Sequence, residues 1–402
     1  MVKKVVVFAC DTGGLGIIRD LHRTEGIYII AVSNNKSDIG LYSRYVSEKH
    51  ISPDPKNDEK AFLDFLLSFK DAWKGALFIE TRDNFSIFFA KNKEVLSGYF
   101  HIITNDWKIL SKVLFKDELY RIADKLNIDY PKSFLELNKS NYKSIADEIN
   151  YPCLVKPVDS NEFVNVFNTK NFYVKERNDF INKMESCFDN SLSVVAQEVI
   201  PGPDENLIRL QSYVNKAGKQ AFKFFLYKIR QQPPRFGVGR VCMSTSPVKE
   251  IQEIVERVIS ETGYRGYLSI EFKKDERDGK YKLIEMNVRI SRGVWHCIYA
   301  GINITEIIMA DHLDNKEIYN EHYEENLCWI EIFPDLQNII FNVHGEKISF
   351  QKYFEPYRLK RKVFAVFNTH DFKPFLHQFF NILSGGLYYF RNYLLKGRSL
   401  KK

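Results

Sequence analysis

The chain has 402 residues, 45% of them hydrophobic and 27% charged, enough for two or three soluble globular domains with a substantial core. The formal net charge is +7, but ten Lys/Arg against the single acid Asp371 lie between Pro356 and Lys402, so the basic character belongs to the tail, which weakens a nucleic-acid reading of the whole chain. Six scattered cysteines with no C-x-x-C pair argue against a zinc site or a disulfide framework and fit a reducing, cytoplasmic setting. Met1-Val-Lys-Lys-Val runs straight into a strand-like stretch, so no signal peptide is expected.

Residues 1–105 alternate strand and helix patterns. Val5–Ala9, Tyr28–Val32 and Ala76–Ile79 read as buried strands, and Gly14–Arg23 as a helix start. That rhythm predicts an open parallel α/β sheet. Ligands in such sheets bind beyond the carboxyl ends of the strands, where Asp11-Thr-Gly-Gly-Leu-Gly16 and Glu80-Thr-Arg-Asp83 fall. The glycine loop is not a dinucleotide site. Arg19 stands where glycine or alanine is required, and the second strand ends in Ser33-Asn34-Asn35 with no acid for a ribose hydroxyl. It reads instead as a close helix–strand turn. Trp107–Asn127 is predicted as one helix, Asn127–Pro131 as a turn into a strand, Pro152–Pro157 as a strand stopped by its proline, and Val194–Gly202 as a strand ending in a turn. Beyond about Asp311 the pattern loses clear period and aromatic residues become dense.

The most informative segment is Tyr267–Asn287. It reads as two strands around a polar turn at Asp275–Lys280. A turn centred on Asp278 sets Glu271 opposite Glu285, and strand alternation adds Asn287 to the same face. Like charges directly opposite destabilise a sheet, so a cation between them is expected. Two carboxylates and an amide oxygen, completed by water and phosphate oxygens, suit Mg²⁺, with Mn²⁺ as the alternative. A solvated acidic hairpin face is the competing reading.

Ser43-Arg-Tyr-Val46, Phe115-Lys116-Asp-Glu-Leu-Tyr120, Ile200-Pro-Gly-Pro-Asp204 and Tyr264-Arg-Gly-Tyr267 add to this hairpin a resemblance, in the right order from Val5 to Asp311, to the ATP-grasp superfamily. Within it the chain resembles the carboxylate–amine ligases of the D-aspartate ligase type and carbamoyl-phosphate-synthase-like proteins. The resemblance implies an α/β and α+β architecture. A parallel pre-ATP-grasp domain (1–105) would be followed by a two-subdomain ATP-grasp domain (106–311, with a mobile lid at about 139–200) and a C-terminal extension (312–402). It implies ATP-phosphate contacts from Lys116 and Lys156, and adenine reading by backbone groups of Glu198, Val199 and Ile200. Glu205 would hold the ribose, and Glu271, Glu285 and Asn287 the metal. Arg289 and Arg292 are implied anion holders, and Arg230 or Arg240 would touch the reacting carboxylate. Two departures stand out: Phe115 replaces the usual acid before the first lysine, and Val158–Phe167 lacks a glycine-rich cover, so Ser160 and Asn161 would have to help cap the phosphates.

The activity implied is ligation of a carboxylate to an amine, such as an amino acid, through an acyl phosphate with release of ADP and phosphate. A carboxylase or other acyl-phosphate enzyme, or a non-catalytic nucleotide-binding regulator, are the alternatives; a homo-oligomer stays open. His296 reads as a core histidine. Pro374–Phe390 is a 17-residue stretch without Lys, Arg, Asp or Glu, followed by Arg391, Lys396, Arg398, Lys401 and Lys402. It reads either as a helix packed on the body or as an interfacial helix on the anionic inner face of a membrane.

Overall fold

Val5, Val6, Val7 and Phe8 are all fully buried, as a parallel strand must be when helices cover both faces of its sheet. They belong to the first of three sheets in the computed structural model, which describes residues 2–157, 163, 166, 167, 169, 171–232, 237–340 and 349–383. Its strands are β1 (Lys3–Phe8), β2 (Ile27–Ser33), β3 (Glu48–Ile51), β4 (Leu77–Glu80) and β5 (His101–Ile102), all parallel in the order β3-β2-β1-β4-β5. The strand order reverses between β1 and β4, so a crevice opens at their carboxyl ends. Asp11 caps the helix Thr12–Leu21 there by accepting from the Gly13 and Gly14 amides. A Cβ on Gly14 would fall 2.6 Å from the Ala9 carbonyl oxygen, and one on Gly16 would fall 2.8 Å from Val294 Cγ1. These glycines let the helix approach its neighbours, as the close-turn reading expects.

A four-stranded antiparallel sheet follows, with β6 (Ser133–Phe134), β7 (Cys153–Pro157), β8 (Phe172–Val174) and β9 (Val194–Glu198) in the order β6-β9-β7-β8. Helices Tyr142–Glu148 and Arg177–Asp189 pack on it through Ile145, Phe180 and Met184. Residues 158–162, with Ser160 and Asn161, lie outside the described residues.

The third sheet contains β10 (Leu207–Val214), β11 (Gln220–Gln232), β12 (Val238–Ser244), β13 (Gly266–Lys274), β14 (Tyr281–Asn287), β15 (Cys328–Ile330) and β16 (Lys362–Phe364), ordered β14-β13-β10-β11-β12-β15-β16. Helix Lys249–Thr262 buries Ile251, Ile254, Val255, Val258, Ile259 and Thr262 against it. This is one face at helical spacing, and it stops at Gly263, whose φ of 68° is the left-handed cap.

Two expectations need correction. The predicted helix Trp107–Asn127 is two helices, Trp107–Leu114 and Lys116–Lys125, because Phe115 adopts an extended conformation (φ −88°, ψ 132°). The break puts Lys116 at a helix start. The C-terminal extension is also less separate than its weak pattern suggests, since β15 and β16 extend the large sheet as three-residue strands too short to show a period. Asp371 fastens the extension to the helix Thr12–Leu21 and to the segment before β3 by accepting from Arg19 Nε at 3.0 Å, Ser43 Oγ at 2.9 Å and the Arg44 amide at 3.0 Å. Helix 373–383 then lies against the body, with Phe375 stacked on Phe333 and His377 on Tyr42. Residues 384–402 lie outside the described residues. Among those described, no helix is long and apolar enough to cross a membrane.

Candidate active site

The β13–β14 hairpin pairs Lys274 with Tyr281 and Phe272 with Leu283; a bulge then passes over Ile284, and Glu271 pairs with Glu285 and Ser269 with Asn287. The two carboxylates do stand opposite each other, and the bulge is what brings them there; without it Glu271 would face Ile284. On its other side Glu271 is paired with Arg209 of β10. Its carboxylate accepts from Arg209 and from Lys228 Nζ at 2.9 Å. Burial pushes the Glu271 pKa up, but Arg209 and then Lys228 outweigh it and hold the group at about 2. The charge repulsion expected at the hairpin is therefore answered in part by the protein's own cations. Glu285 is half-buried and accepts from Asn287 Nδ2 at 3.1 Å. Among the described residues no three His, Cys, Asp or Glu side chains converge as a metal cluster. The hairpin thus supplies two carboxylates and one amide oxygen, a set that suits a hard cation sharing its shell with phosphate oxygens.

A cavity lies between this hairpin and the four-stranded sheet, and both predicted lysines line it. Lys156 Nζ donates to Gln197 Oε1 at 2.8 Å, and Gln197 is itself fixed by donating to Tyr120 Oη and Ser133 Oγ. Burial, and then the neighbouring Lys116 ammonium, pull the Lys156 pKa down to about 7. Lys228, Arg209 and Lys273 line the same cavity, and sequence reasoning missed all three. Their signal was a charged residue inside an otherwise apolar strand, as in Phe224-Phe-Leu-Tyr-Lys228-Ile. Arg209 Nε and Ser269 Oγ are buried with no hydrogen-bond partner among the described residues. Such atoms are costly unless something meets them, which fits a polar occupant.

The predicted arginines divide. Arg289 and Arg292 reach the cavity wall. Arg289 pairs with Asp83 at 3.0 Å, and Arg292 Nε donates to both Glu331 oxygens at 3.1 Å. Arg240 is not on the wall; it donates to Glu331 from β12. Glu331 also accepts from Thr12 Oγ1 at 3.1 Å, so one carboxylate ties together the glycine turn and both arginines. Burial alone would raise its pKa, but Arg292 and Arg240 hold it near 2. Arg230 needs correction. The register of β11 against β12 shifts on both sides of it, so Lys228 and Gln231 face the cavity while Arg230 turns away. It makes a two-point contact with Asp335 at 2.8 Å and lies over the Tyr353 ring, which leaves it committed to the extension and not to a substrate.

Glu198, Val199 and Ile200 all line the cavity. The amides of Glu198 and Val199 are already donated to the Lys132 and Pro152 carbonyls. The Glu198 carboxylate accepts from the Lys132 amide, Asn150 and Arg277, so its side chain is structural. Glu205 sits exposed on the turn Asp204–Asn206 and is not part of the wall. His296 donates to or accepts from nothing in the cavity; its Nε2 meets the Leu327 carbonyl at 2.8 Å, and burial pushes its pKa down to about 4. It is a core histidine.

A parallel α/β sheet followed by a small antiparallel sheet facing a larger one across a basic cavity is the ATP-grasp architecture, and what the chain is similar to agrees with that fold. Residues 241–306 match the family described as carbamoyl-phosphate synthase L chain, ATP binding domain. A D-aspartate ligase from Enterococcus faecium (strain Aus0004) is 21% identical over 94% of this chain and 97% of its own length. The solved structure of N5-carboxyaminoimidazole synthetase from Staphylococcus aureus complexed with ADP superposes with a TM-score of 0.64 at 12% identity, covering 86% of this chain and 87% of that one. The biotin carboxylase domain of Hydrogenobacter thermophilus 2-oxoglutarate carboxylase, solved with MgADP, ADP and bicarbonate, gives 0.61 at 19% identity over 82% and 73%. The solved structures establish the fold.

Proposed function

We propose that this chain is an ATP-dependent ligase that activates a substrate carboxylate as an acyl phosphate and joins it to an amine, releasing ADP and phosphate. The observation that carries the reading is the charge of one cavity. Seven basic side chains line it against three acidic ones, a formal excess of four, which matches the charge of a nucleoside triphosphate. With a divalent cation included, about two positive charges remain for the substrate carboxylate and the phosphoryl group in flight.

The roles follow from position. Lys116, Lys156 and Lys228 hold phosphate oxygens as compact point charges. Glu285 and Asn287, with Glu271, would hold the cation, which supplies charge neutralisation and in-line alignment of the transferring phosphoryl group. Arg292, oriented by Glu331, presents its exposed edge to the reacting carboxylate. Adenine lies along Glu198–Ile200. A carboxylate is a poor acyl donor because oxide is a poor leaving group; phosphorylation by the γ-phosphate turns it into one that an amine displaces, with phosphate leaving. The protein's contribution is positioning and electrostatics. The small sheet serves as the lid.

The D-aspartate ligase relative makes an amino-acid dicarboxylate the first candidate for the activated substrate. The test is a screen of both aspartate enantiomers, other carboxylates and bicarbonate with MgATP, measuring ADP release and trapping the acyl phosphate with hydroxylamine. A hydroxamate that forms only with one carboxylate supports the ligase; ADP release driven by bicarbonate alone would favour a carboxylase. Glu285→Gln is expected to lower turnover by on the order of 10²–10³-fold with an unchanged unfolding transition. Normal turnover in that variant removes the cation assignment.

A further inference from the structure

Helix 373–383 carries a feature that the proposed ligation does not use. Its inner face is accounted for by the Phe333–Phe375 and Tyr42–His377 stacks and by Asn381 Nδ2, which reaches the Ser37 carbonyl. Its outer face is apolar and open. Phe372, Leu376, Phe379, Phe380 and Leu383 keep 40%, 40%, 39%, 60% and 46% of their surface exposed, with one edge of the Phe379 ring against Phe333 and one edge of the Phe372 ring against Phe367 and Phe375. Their spacing (i, i+4, i+7, i+8, i+11) is that of one helical stripe. Single exposed apolar residues need no explanation, but five large ones aligned on one face mark an interaction surface. Lys373 is the one charged residue on that exposed face.

Charge decides what the stripe meets. No Asp or Glu occurs after Asp371, and Arg391, Lys396, Arg398, Lys401 and Lys402 follow the helix, outside the described residues but fixed by sequence. A stripe of Phe and Leu with Tyr388, Tyr389 and Tyr393 and a run of basic residues next in the chain is the composition of a segment that lies in a bilayer interface: rings and aliphatic chains at the acyl boundary, cations among anionic headgroups. A protein partner would need no such one-sided charge. The described helix is too short to span, and among the described residues no helix qualifies as a span. We propose that the exposed face of helix 373–383 docks this protein on an anionic lipid surface, with the body held to the helix by its inner face and by the buried Arg19–Asp371 pair.

The test is flotation of the full chain with vesicles of phosphatidylcholine alone or with 30% phosphatidylglycerol, at low and high salt. Each basic residue near an anionic surface favours partitioning by roughly fivefold, so the intact chain is expected to float only with phosphatidylglycerol and to be released by salt. The double variant Leu376→Ser/Phe380→Ser is expected to reduce partitioning at least tenfold, since both side chains lie on the open face and the Phe379 contact with Phe333 is left in place. An intact chain that stays in the soluble fraction with anionic vesicles overturns the proposal. So does a variant that binds as well as the parent, which would mean that the basic tail acts alone. A concentration-dependent dimer, lost in the variant and indifferent to vesicles, would assign the stripe to a second copy and also overturn it. Should the double variant fail to fold, hydrogen exchange of the intact chain reads the same question: slowed exchange over 373–383 on adding anionic vesicles supports docking, and unchanged exchange refutes it.

Discussion

Glu271 and Lys156 face one cavity from opposite sheets, and the protein treats their charges in opposite ways. Glu271 is boxed in by Arg209 and Lys228, which hold its pKa near 2 despite burial. Lys156 has a second lysine as its neighbour and a neutral amide oxygen as its partner, and its pKa falls to about 7. The charge of Glu271, on the hairpin floor, is thus compensated before any ligand arrives. The lysine wall is not, and an anion is what completes it. Under the proposed ligation such a site would separate two jobs: Glu271 is held in place by the protein's own cations, while the wall would convert unfavourable cation–cation proximity into affinity for phosphate.

The comparison breaks most visibly at Arg209. Arg209→Leu leaves the buried Glu271 with Lys228 as its remaining cation, and losing one partner of a buried ion pair typically costs about 3–5 kcal/mol. Urea unfolding is expected to show a loss in that range. Adding Glu271→Leu is not expected to recover it, because the buried Lys228 ammonium then loses its own carboxylate partner. A single variant as stable as the parent would mean that the floor does not depend on its internal pairs.

How far this contrast could be read from the amino-acid sequence differs between its halves. The acids were legible because the hairpin is local: Glu271, Glu285 and Asn287 lie within a 17-residue span whose alternation fixes their shared face. Even so, the register rested on a bulge at Ile284 that no residue announced. The neutralising cations were not legible. Arg209 and Lys228 come from strands paired across the sheet, and strand order is a long-range property. Arg230 failed for a related reason, since its parity matches Lys228 and only the shifted register turns it to Asp335. The parallel sheet at the start of the chain was readable from its rhythm, whereas β15 and β16 were too short to show one.

On the wall, Lys156→Ala is expected to weaken MgATP binding by roughly ten- to hundredfold, the worth of a charge-assisted phosphate contact of about 1.5–3 kcal/mol. It should not lower stability, because it removes a cation held beside Lys116. That pairing of outcomes separates the wall from the floor: the Arg209 change costs folding, and the Lys156 change costs binding. Titration calorimetry beside thermal unfolding reads both. Unchanged nucleotide affinity would take Lys156 out of the site.

The smallest effect is the sharpest probe of the same contrast, because it needs no substitution. With a free-state pKa of about 7, Lys156 is largely neutral at pH 8 and largely charged at pH 6. A bound polyphosphate stabilises the ammonium form and raises that pKa, so binding at pH 8 must draw a proton from solution, and binding at pH 6 almost none. Affinity is then flat below pH 6 and falls as pH rises through 7, by at most about tenfold per pH unit, until the raised pKa of the complex is passed. Calorimetry at pH 8 in Tris and in a phosphate-free buffer of low ionisation enthalpy measures the uptake directly. Close to one proton is expected for the parent and none for Lys156→Ala. Glu271 should contribute nothing over this range, since its carboxylate is ionised with or without ligand. If the parent took up no proton at pH 8, Lys156 would already be charged in the free protein, and the asymmetry between floor and wall would be lost.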